Sequence, residues 1–157
     1  MYTEFLTDDR QITHLYCEKN GVIQFWNNAQ YVSEEDIKQK CDTAFQSGPL
    51  IYSLHDGVVS ENLASKLYIG NKHERTVMVV FESQSGKQDV WFLTAYEEKT
   101  LAQIRDIVLM ETRFYDTYKN IDIFNLDGGS SVAYISKKYP ALNFGKSKQL
   151  PIVFGIR

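Results

Sequence analysis

The amino-acid sequence predicts an α+β fold: a single domain with a mixed, largely antiparallel sheet, one long helix and one short helix. Short runs of β-branched and aromatic residues alternate with turn residues, and two other segments combine helical spacing with a capping pattern. The chain has 157 residues, of which 43% are hydrophobic and 24% charged. This length and composition predict one globular domain that spans residues 1–157 and buries a core.

Two hairpins are predicted in the first half of the chain. Residues 12–17 and 22–26 are rich in β-branched and aromatic side chains and are separated by a Lys-Asn-Gly turn. Residues 50–53 and 58–59 flank a His-Asp-Gly sequence, in which we interpret the Asp-Gly pair as a structural turn. Each pair of runs therefore predicts two antiparallel strands.

Two helices are predicted from their capping patterns. A Ser-x-x-Asp sequence begins at Ser33 and a Thr-x-x-Gln sequence begins at Thr100, and both have the spacing of a capping box. Apolar residues follow each of them at helical intervals. The first pattern predicts a short helix at 33–44, which Pro49 prevents from extending much further. The second predicts a long helix at 100–118 that packs on the sheet.

The second half of the chain supplies the remaining strands. Residues 61–73 are polar and irregular, which predicts a loop before the next apolar run. The predicted strands are 77–81, 90–95, a strand that ends at Asp127, 132–135 and 151–156.

Charge and composition narrow the class of partner. The net charge of −3 and the absence of a long Lys/Arg cluster argue against nucleic acid or an anionic membrane surface as the main partner. No apolar stretch reaches the length of a membrane span. The first ten residues carry acidic side chains and lack the apolar core of a signal peptide. As written, the chain is therefore expected to be cytoplasmic.

The cysteines and histidines predict no metal site. Cys17 and Cys41 have no recognisable metal spacing and are too few for a disulfide framework, so we interpret them as buried thiols, with one disulfide as the alternative. His14, His55 and His73 are scattered and lack metal-ligand spacing. We expect neither a metal nor another cofactor.

The run at 123–131, Ile-Phe-Asn-Leu-Asp-Gly-Gly-Ser-Ser, is the strongest candidate for a site. An apolar strand ends in the carboxylate of Asp127, and the two following glycines allow a ligand to approach the backbone closely. The two serines add hydroxyls that can bind a ligand. The same sequence is also ordinary turn chemistry, so from this run alone a simple hairpin remains the alternative.

Further runs occur in a defined order along the chain. They are Asn20-Gly21-Val22, Gln46-Ser47-Gly48-Pro49-Leu50, Asp56-Gly57, Arg75 at the start of a strand, the capped helix, Asn125-Leu126-Asp127-Gly128-Gly129-x-Ser131 and Leu150-Pro151-Ile152. In this order and spacing they resemble the phosphodiester glycosidase domain family, over roughly residues 20–156. The family includes a lysosomal α-N-acetylglucosaminidase and many uncharacterised bacterial proteins, and its members are often exported.

The resemblance implies a hydrolase that acts on sugar phosphodiesters without a cofactor. The implied ligand is a small sugar phosphate or a glycan. The implied catalytic residues are Asp127 and Arg75. The implied substrate-binding residues are Asn125, Gly128, Gly129, Ser131, Gln46, Ser47 and Gly48.

The chemistry of these side chains fits the implied reaction. A leaving phosphate is a weak base and needs little help from a general acid, so one carboxylate can suffice. Asp127 is the expected nucleophile, or the base for an attacking water. Arg75 is expected to hold the phosphate through charge-assisted hydrogen bonds.

Structural alternatives stay open for three of the implied residues or runs. Arg75 lies among other charged residues and is alternatively a surface ion pair. Residues 46–49 are alternatively a helix stop followed by a turn. Asn125 shares a strand face with Asp127, so its amide either orients the carboxylate or ligand, or is simply buried and satisfied.

The sequence departs from the family pattern in two places. Ser130 replaces the third glycine of the usual Asn-Leu-Asp-Gly-Gly-Gly-Ser motif. The Asn-Gly-Gly-x-Phe-like segment near the family's N-terminus is not found, which predicts a truncated member or a partner, either a second copy or another chain, that supplies it. Two alternative functions follow: an inactive carbohydrate or phospho-sugar binding module, and a partner-completed assembly domain with an exposed apolar edge.

Overall fold

The computed structural model describes residues 14–26, 33–60, 71–111, 118–128, 133–134 and 144–145. In these parts of the chain two helices accompany ten strands, and every strand pairing is antiparallel. The predicted α+β class, with one longer and one shorter helix, is therefore confirmed.

A three-stranded sheet forms the N-terminal layer. Its strands are β1 (His14–Lys19), β2 (Val22–Trp26) and β3 (Thr43–Ser47). They lie in the order β2-β1-β3, so β2 is an edge strand. The turn between β1 and β2 has positive φ at Asn20 (53°) and Gly21 (78°), a conformation that these two residue types adopt at low cost.

A five-stranded sheet forms the larger layer. Its strands are β4 (Leu50–His55), β5 (Val58–Ser60), β6 (His73–Ser83), β7 (Gln88–Lys99) and β8 (Tyr118–Gly128). The order is β5-β4-β8-β6-β7, which places β8 at the centre between β4 and β6. Two short strands, β9 (Ala133–Tyr134) and β10 (Phe144–Gly145), pair with each other.

Both faces of the five-stranded sheet are covered by apolar side chains. Strand alternation sends one set towards helix α2 (Leu101–Glu111) and the other towards the three-stranded sheet. The first core contains Ile51, Val77, Val79, Phe81, Ile121 and Ile123 of the sheet with Leu101, Ile104 and Val108 of α2. The second contains Met78, Val80 and Phe124 with Tyr16 and Phe45 of the three-stranded sheet. The sheet is therefore the middle layer of the described fold.

Helix α1 (Glu34–Lys40) is shorter than the predicted 33–44. Ser33 is its N-cap and accepts a hydrogen bond from the Asp36 N–H at 3.1 Å, as the capping box predicts. The helix ends at Cys41, whose backbone is extended. Cys41 is bonded to Cys17 of β1, so the interpretation of the two cysteines as buried thiols is wrong and the disulfide alternative is correct.

Helix α2 begins where the sequence predicts and ends earlier. The Gln103 N–H donates to Thr100 Oγ1 at 3.2 Å, and the Thr100 N–H donates to Gln103 Oε1 at 3.0 Å, which completes the capping box. The predicted end at residue 118 is wrong because Tyr118 begins β8. Residues 112–117 lie outside the described part of the chain.

The strand predictions that fall on described residues hold at their centres; the strand at 22–26 is also correct at both ends, and the other strands differ from the prediction at one end or both. The loop predicted at 61–73 ends too late, since His73 already belongs to β6; residues 61–70 lie outside the described ranges. Strand β3 replaces the end of the predicted first helix and the turn after it. Within the predicted strand at 132–135, residues 133–134 are described as β9. The predicted strand at 151–156 lies outside the described residues.

One side chain of the larger sheet is hydrogen-bonded to β2, the edge strand of the three-stranded sheet. Gln88, the first residue of β7, accepts a hydrogen bond from the Ile23 N–H at 2.7 Å through its Oε1. Its Nε2 donates to the Ile23 carbonyl at 2.9 Å. The amide of Gln88 thus satisfies both main-chain groups of one residue of the edge strand.

Candidate functional site

The C-terminal end of β8 is where several predicted site residues meet. Across the pairing of β6 with β8, Thr76 lies opposite Asp127 and Arg75 lies opposite Gly128. The next residue of β6, Val77, is opposite Asn125, so β8 carries one extra residue at this point. Asn125 and Asp127 therefore pair with consecutive residues of β6, and the prediction that they share a strand face is wrong. An irregularity of this kind changes the direction of side chains and recurs next to active sites.

The connection between β3 and β4 lies against the same part of β8. Ser47 Oγ donates to the Asn125 carbonyl at 3.2 Å and to the Leu126 carbonyl. In return, Asn125 Nδ2 donates to the Gly48 carbonyl at 2.9 Å, and the Asn125 N–H donates to the Pro49 carbonyl at 3.0 Å. The residues of the Ser-Gly-Pro sequence are therefore bonded to β8, although 77 residues separate Gly48 from Asn125.

The backbone of Gly48 explains why glycine occupies this position. Its φ of 131° lies in a region that side chains with a Cβ rarely adopt. The following peptide bond to Pro49 is cis. The chain turns here between β3 and β4, and the carbonyls of Gly48 and Pro49 lie at Asn125.

Arg75 is buried at the start of β6. Only 5% of the residue is exposed, and its Nη2 donates to the Asn71 carbonyl at 3.2 Å. Strand alternation puts Arg75 on the same sheet face as Val77, which is paired with Asn125. This buried position beside β8 differs from the solvated surface ion pair that the sequence left as an alternative.

Asn125 is also buried, at 5% exposure, and its two amide atoms differ in their partners. Nδ2 donates to Gly48, whereas Oδ1 has no hydrogen-bond partner within the described residues. A buried carbonyl oxygen that lacks a partner costs about 1–3 kcal/mol. The arrangement therefore leaves an acceptor next to the strand end, and the alternative of a fully satisfied amide does not describe it.

The remaining predicted site residues are not all at this position. Gln46 is paired with Leu15 on β1, whose side chain packs on the α1 side of the three-stranded sheet; paired residues share a face, so Gln46 points away from β8. For Asp127 and Gly128 the structure describes the backbone within β8. Gly129 and Ser131 lie outside the described residues.

A second polar cluster, which the sequence reasoning did not identify, lies earlier on β8. Asp122 accepts a hydrogen bond from Ser53 Oγ at 2.6 Å, and both of its carboxylate oxygens lie 3.0 Å from His55 Nε2. Ser53 and His55 belong to the neighbouring strand β4. Asp122 is buried, and the imidazole of His55 is half exposed.

A second pair of polar side chains continues this cluster across β6 and β8. Asn120 Nδ2 donates to Glu82 Oε2 at 3.0 Å, and Asn120 Oδ1 accepts from the Asp56 N–H at 3.1 Å. All of these side chains line a cleft between β2 and the five-stranded sheet, with a volume of about 360 Å³. Val80 and Phe25 are among the apolar residues of its walls.

Two histidines near Asp122 have pKa values that are shifted in opposite directions. The hydrogen bond to Asp122 raises the pKa of His55, and the nearby charges of Glu82 and Asp56 add to this effect against the burial of the ring. Burial lowers the pKa of His14, which the charge of Asp122 partly offsets. The His14 ring accepts the Leu50 N–H at 3.4 Å through Nδ1.

A signal for this cluster exists in the sequence. In β8, Asn120 and Asp122 alternate with Ile121 and Ile123, so two polar side chains occupy one face of a strand whose other face is apolar. A half-polar face is ordinary for an exposed strand. Because β8 is central and this face is covered by the three-stranded sheet, the polar positions are instead buried.

The outer edge of the larger sheet bears on the predicted assembly alternative. Among the described strands, β7 is paired with β6 alone. Val90 and Trp91 of β7 are 37% and 42% exposed. An exposed apolar edge is what a partner-completed domain would need, and that function stays a prediction.

No family model, curated protein or solved structure matches this chain. The phosphodiester glycosidase resemblance therefore stays a prediction from the sequence motifs. Within the described ranges, no group of three or more His, Cys, Asp or Glu side chains is arranged to hold a metal ion. None of the helices described here is long and apolar enough to cross a membrane.

Proposed function

We propose that this chain is a glycosidase-like hydrolase of sugar phosphodiesters, with its site at the C-terminal end of β8. One observation supports the proposal: three sequence runs that resemble family motifs meet there. Ser47 and Gly48 are hydrogen-bonded to the Asn125 region, and Arg75 is paired with Gly128 across the sheet. A resemblance in sequence alone does not require distant runs to converge at one strand end.

The proposed reaction assigns one task to each charged group. Asp127 attacks the anomeric carbon to form a glycosyl ester that water then hydrolyses, or it takes a proton from a water that attacks this carbon directly. The bond from that carbon to the phosphate oxygen breaks, and the phosphate monoester leaves with the electron pair. Arg75 stabilises the charge on the leaving phosphate, because a guanidinium presents donors in a geometry that matches phosphate oxygens.

The neighbouring groups orient the substrate in this proposal. Asn125 is buried and acts by position, since its amide and its backbone N–H hold the carbonyls of Gly48 and Pro49 beside the strand end. Gly128 allows the ligand to approach the main chain, and Ser47 holds the β8 backbone in place through two carbonyls. Gly129 and Ser131 complete the site in the family pattern.

The decisive test is the variant Asp127→Asn. The substrates are the methyl phosphodiesters of α-N-acetylglucosamine, α-glucose and α-galactose, and the measurement is the release of free sugar. We expect the wild-type chain to hydrolyse at least one of them and Asp127→Asn to lose at least about a thousandfold in kcat, because the reacting carboxylate is gone. Asp106→Asn, at an exposed carboxylate of α2 that pairs with Arg105, is the matched control and should retain full activity.

Two results would contradict the hydrolase assignment. If Asp127→Asn turns over at the wild-type rate, Asp127 is not the reacting group. If the folded wild-type chain binds these diesters in a calorimeter and releases no sugar, the binding-module alternative is correct.

A further inference from the structure

The cleft between β2 and the five-stranded sheet is separate from the proposed hydrolase site. Strand β8 contributes to both, but Asp122 points towards the three-stranded sheet, whereas Asn125 lies on the face that carries Val77.

Acidic side chains outnumber basic ones in the lining of the cleft. Its lining contains the carboxylates of Glu82 and Asp122, and among the described residues that line it there is no Lys or Arg. The one basic side chain of this lining is His55, which is already bonded to Asp122. Even when His55 is protonated, the carboxylate of Glu82 leaves the lining negative. An anionic ligand would therefore be repelled.

The Glu82 carboxylate is held in place on the cleft wall by a hydrogen bond. Its Oε2 accepts the Asn120 amide at 3.0 Å, which fixes the position of the carboxylate on the cleft wall. A carboxylate accepts at both oxygens, so a fixed Glu82 presents a preformed acceptor for a charged N–H donor. The apolar walls, including Val80 and Phe25, suit the carbon body of the same ligand.

We infer that this cleft binds a small organic cation, a protonated amine attached to an apolar body. The ammonium group lies against Glu82, on the side of the cleft that also holds Asp122, and the apolar body packs on Val80 and Phe25. The volume of about 360 Å³ accommodates a ligand of this size.

The experiment compares three probes that share one carbon body and differ in charge. They are phenethylammonium, phenethyl alcohol and hydrocinnamate, titrated into the full chain while the backbone amide resonances of Ile23, Asn120 and Asp122 are followed by NMR. We expect the ammonium probe to bind roughly tenfold more tightly than the alcohol, and the carboxylate probe to bind more weakly than either.

Two variants locate the site. Glu82→Gln keeps an acceptor for Asn120 and removes the charge. It should therefore weaken binding of the ammonium probe roughly tenfold and leave binding of the alcohol unchanged. Val22→Trp should block both probes, since Val22 lines the cleft and is 46% exposed. Val58→Trp, at a 70% exposed position of β5 outside the lining, is the control for adding an indole and should bind normally.

The inference is overturned if the ammonium probe and the alcohol bind equally, or if neither shifts the cleft resonances. It is also overturned if Glu82→Gln binds the ammonium probe as the wild type does, or if Val22→Trp still binds it. Circular dichroism of each variant confirms that the chain is folded.

Discussion

Single side chains join segments that lie far apart in the sequence. Ser47 is the clearest example, since its hydroxyl donates to two consecutive carbonyls of β8. The side-chain amide of Asn125 in turn donates a hydrogen bond to the Gly48 carbonyl. A substitution at either residue is therefore expected to loosen the contact between the β3–β4 connection and the strand that carries Asp127.

We expect Ser47→Ala to lower the free energy of unfolding by about 1–2 kcal/mol, because a partly buried hydrogen bond is lost and two carbonyls lose their donor. Urea unfolding measures the difference. Ser85→Ala is the control: its Oγ contacts Ser83 in an exposed turn, so its effect should stay within about 0.5 kcal/mol. Equal stability of both variants and the wild type would contradict the structural role of Ser47.

His55 predicts a dependence of stability on pH. Its hydrogen bond to Asp122 raises its pKa in the folded state above the ordinary value near 6.5, so the folded chain binds a proton more tightly than the unfolded chain. This contribution is complete below the unfolded pKa and is lost as the pH rises through the folded pKa. His55→Gln should therefore reduce stability more at pH 5 than at pH 9, which urea unfolding at the two values measures.

His14 contributes in the opposite sense. Burial lowers its pKa, so its neutral form is favoured in the fold and stability falls as the pH drops below the unfolded pKa. The wild-type profile combines both histidines, and only the difference between wild type and His55→Gln isolates His55. The exposed His73 offers a control. When the effect of His55→Gln is measured in a His73→Gln background, it should depend on pH in the same way as in the wild type. A constant difference at all pH values would contradict the role of the His55–Asp122 pair.

At the scale of elements, the disulfide fixes α1 on the three-stranded sheet. It links the end of α1 to β1 across 24 residues, in a small core formed by Leu15, Ile37 and Ala44. Seven residues are too few for a helix to be stable on its own. The helix therefore depends on this core and on the covalent link.

We expect the double variant Cys17→Ala/Cys41→Ala to be less stable than the oxidised wild type by about 3 kcal/mol. The reason is that a cross-link closing a loop of this length lowers the conformational entropy of the unfolded chain. Urea unfolding with and without a reducing agent measures it. The double variant serves as the control, because a reductant should leave its unfolding midpoint unchanged. If reduction does not shift the wild-type midpoint either, the disulfide does not stabilise the fold.

At the scale of the whole molecule, local features were predictable and non-local ones were not. The turn at Asn20-Gly21, the N-cap at Ser33 and the capping box at Thr100 depend on neighbours within a few residues, and the structure contains all of them. Strand β3 was missed because it follows a helical pattern directly and is stabilised by pairing with β1. Its strand character comes from the partner.

The candidate sites also contain local features that the sequence predicts and non-local ones that it does not. The motif around Asp127 is continuous in sequence, so it could be selected without the fold. The meeting of Ser47, Arg75 and Asn125 was implied only by resemblance, and no spacing rule predicts it. The cluster of His55 and Asp122 needs the pairing of β4 with β8, which a sequence pattern does not specify.

The amide of Gln88 has a consequence for self-association. An edge strand exposes main-chain donors and acceptors that can recruit a strand of another molecule, the first step of sheet-like aggregation. At Ile23 of the edge strand β2, both groups are already occupied by Gln88 of the same chain. One side chain thus occupies the hydrogen-bonding positions that a neighbouring strand would use. A strand of another molecule therefore cannot pair with β2 at Ile23, its second residue.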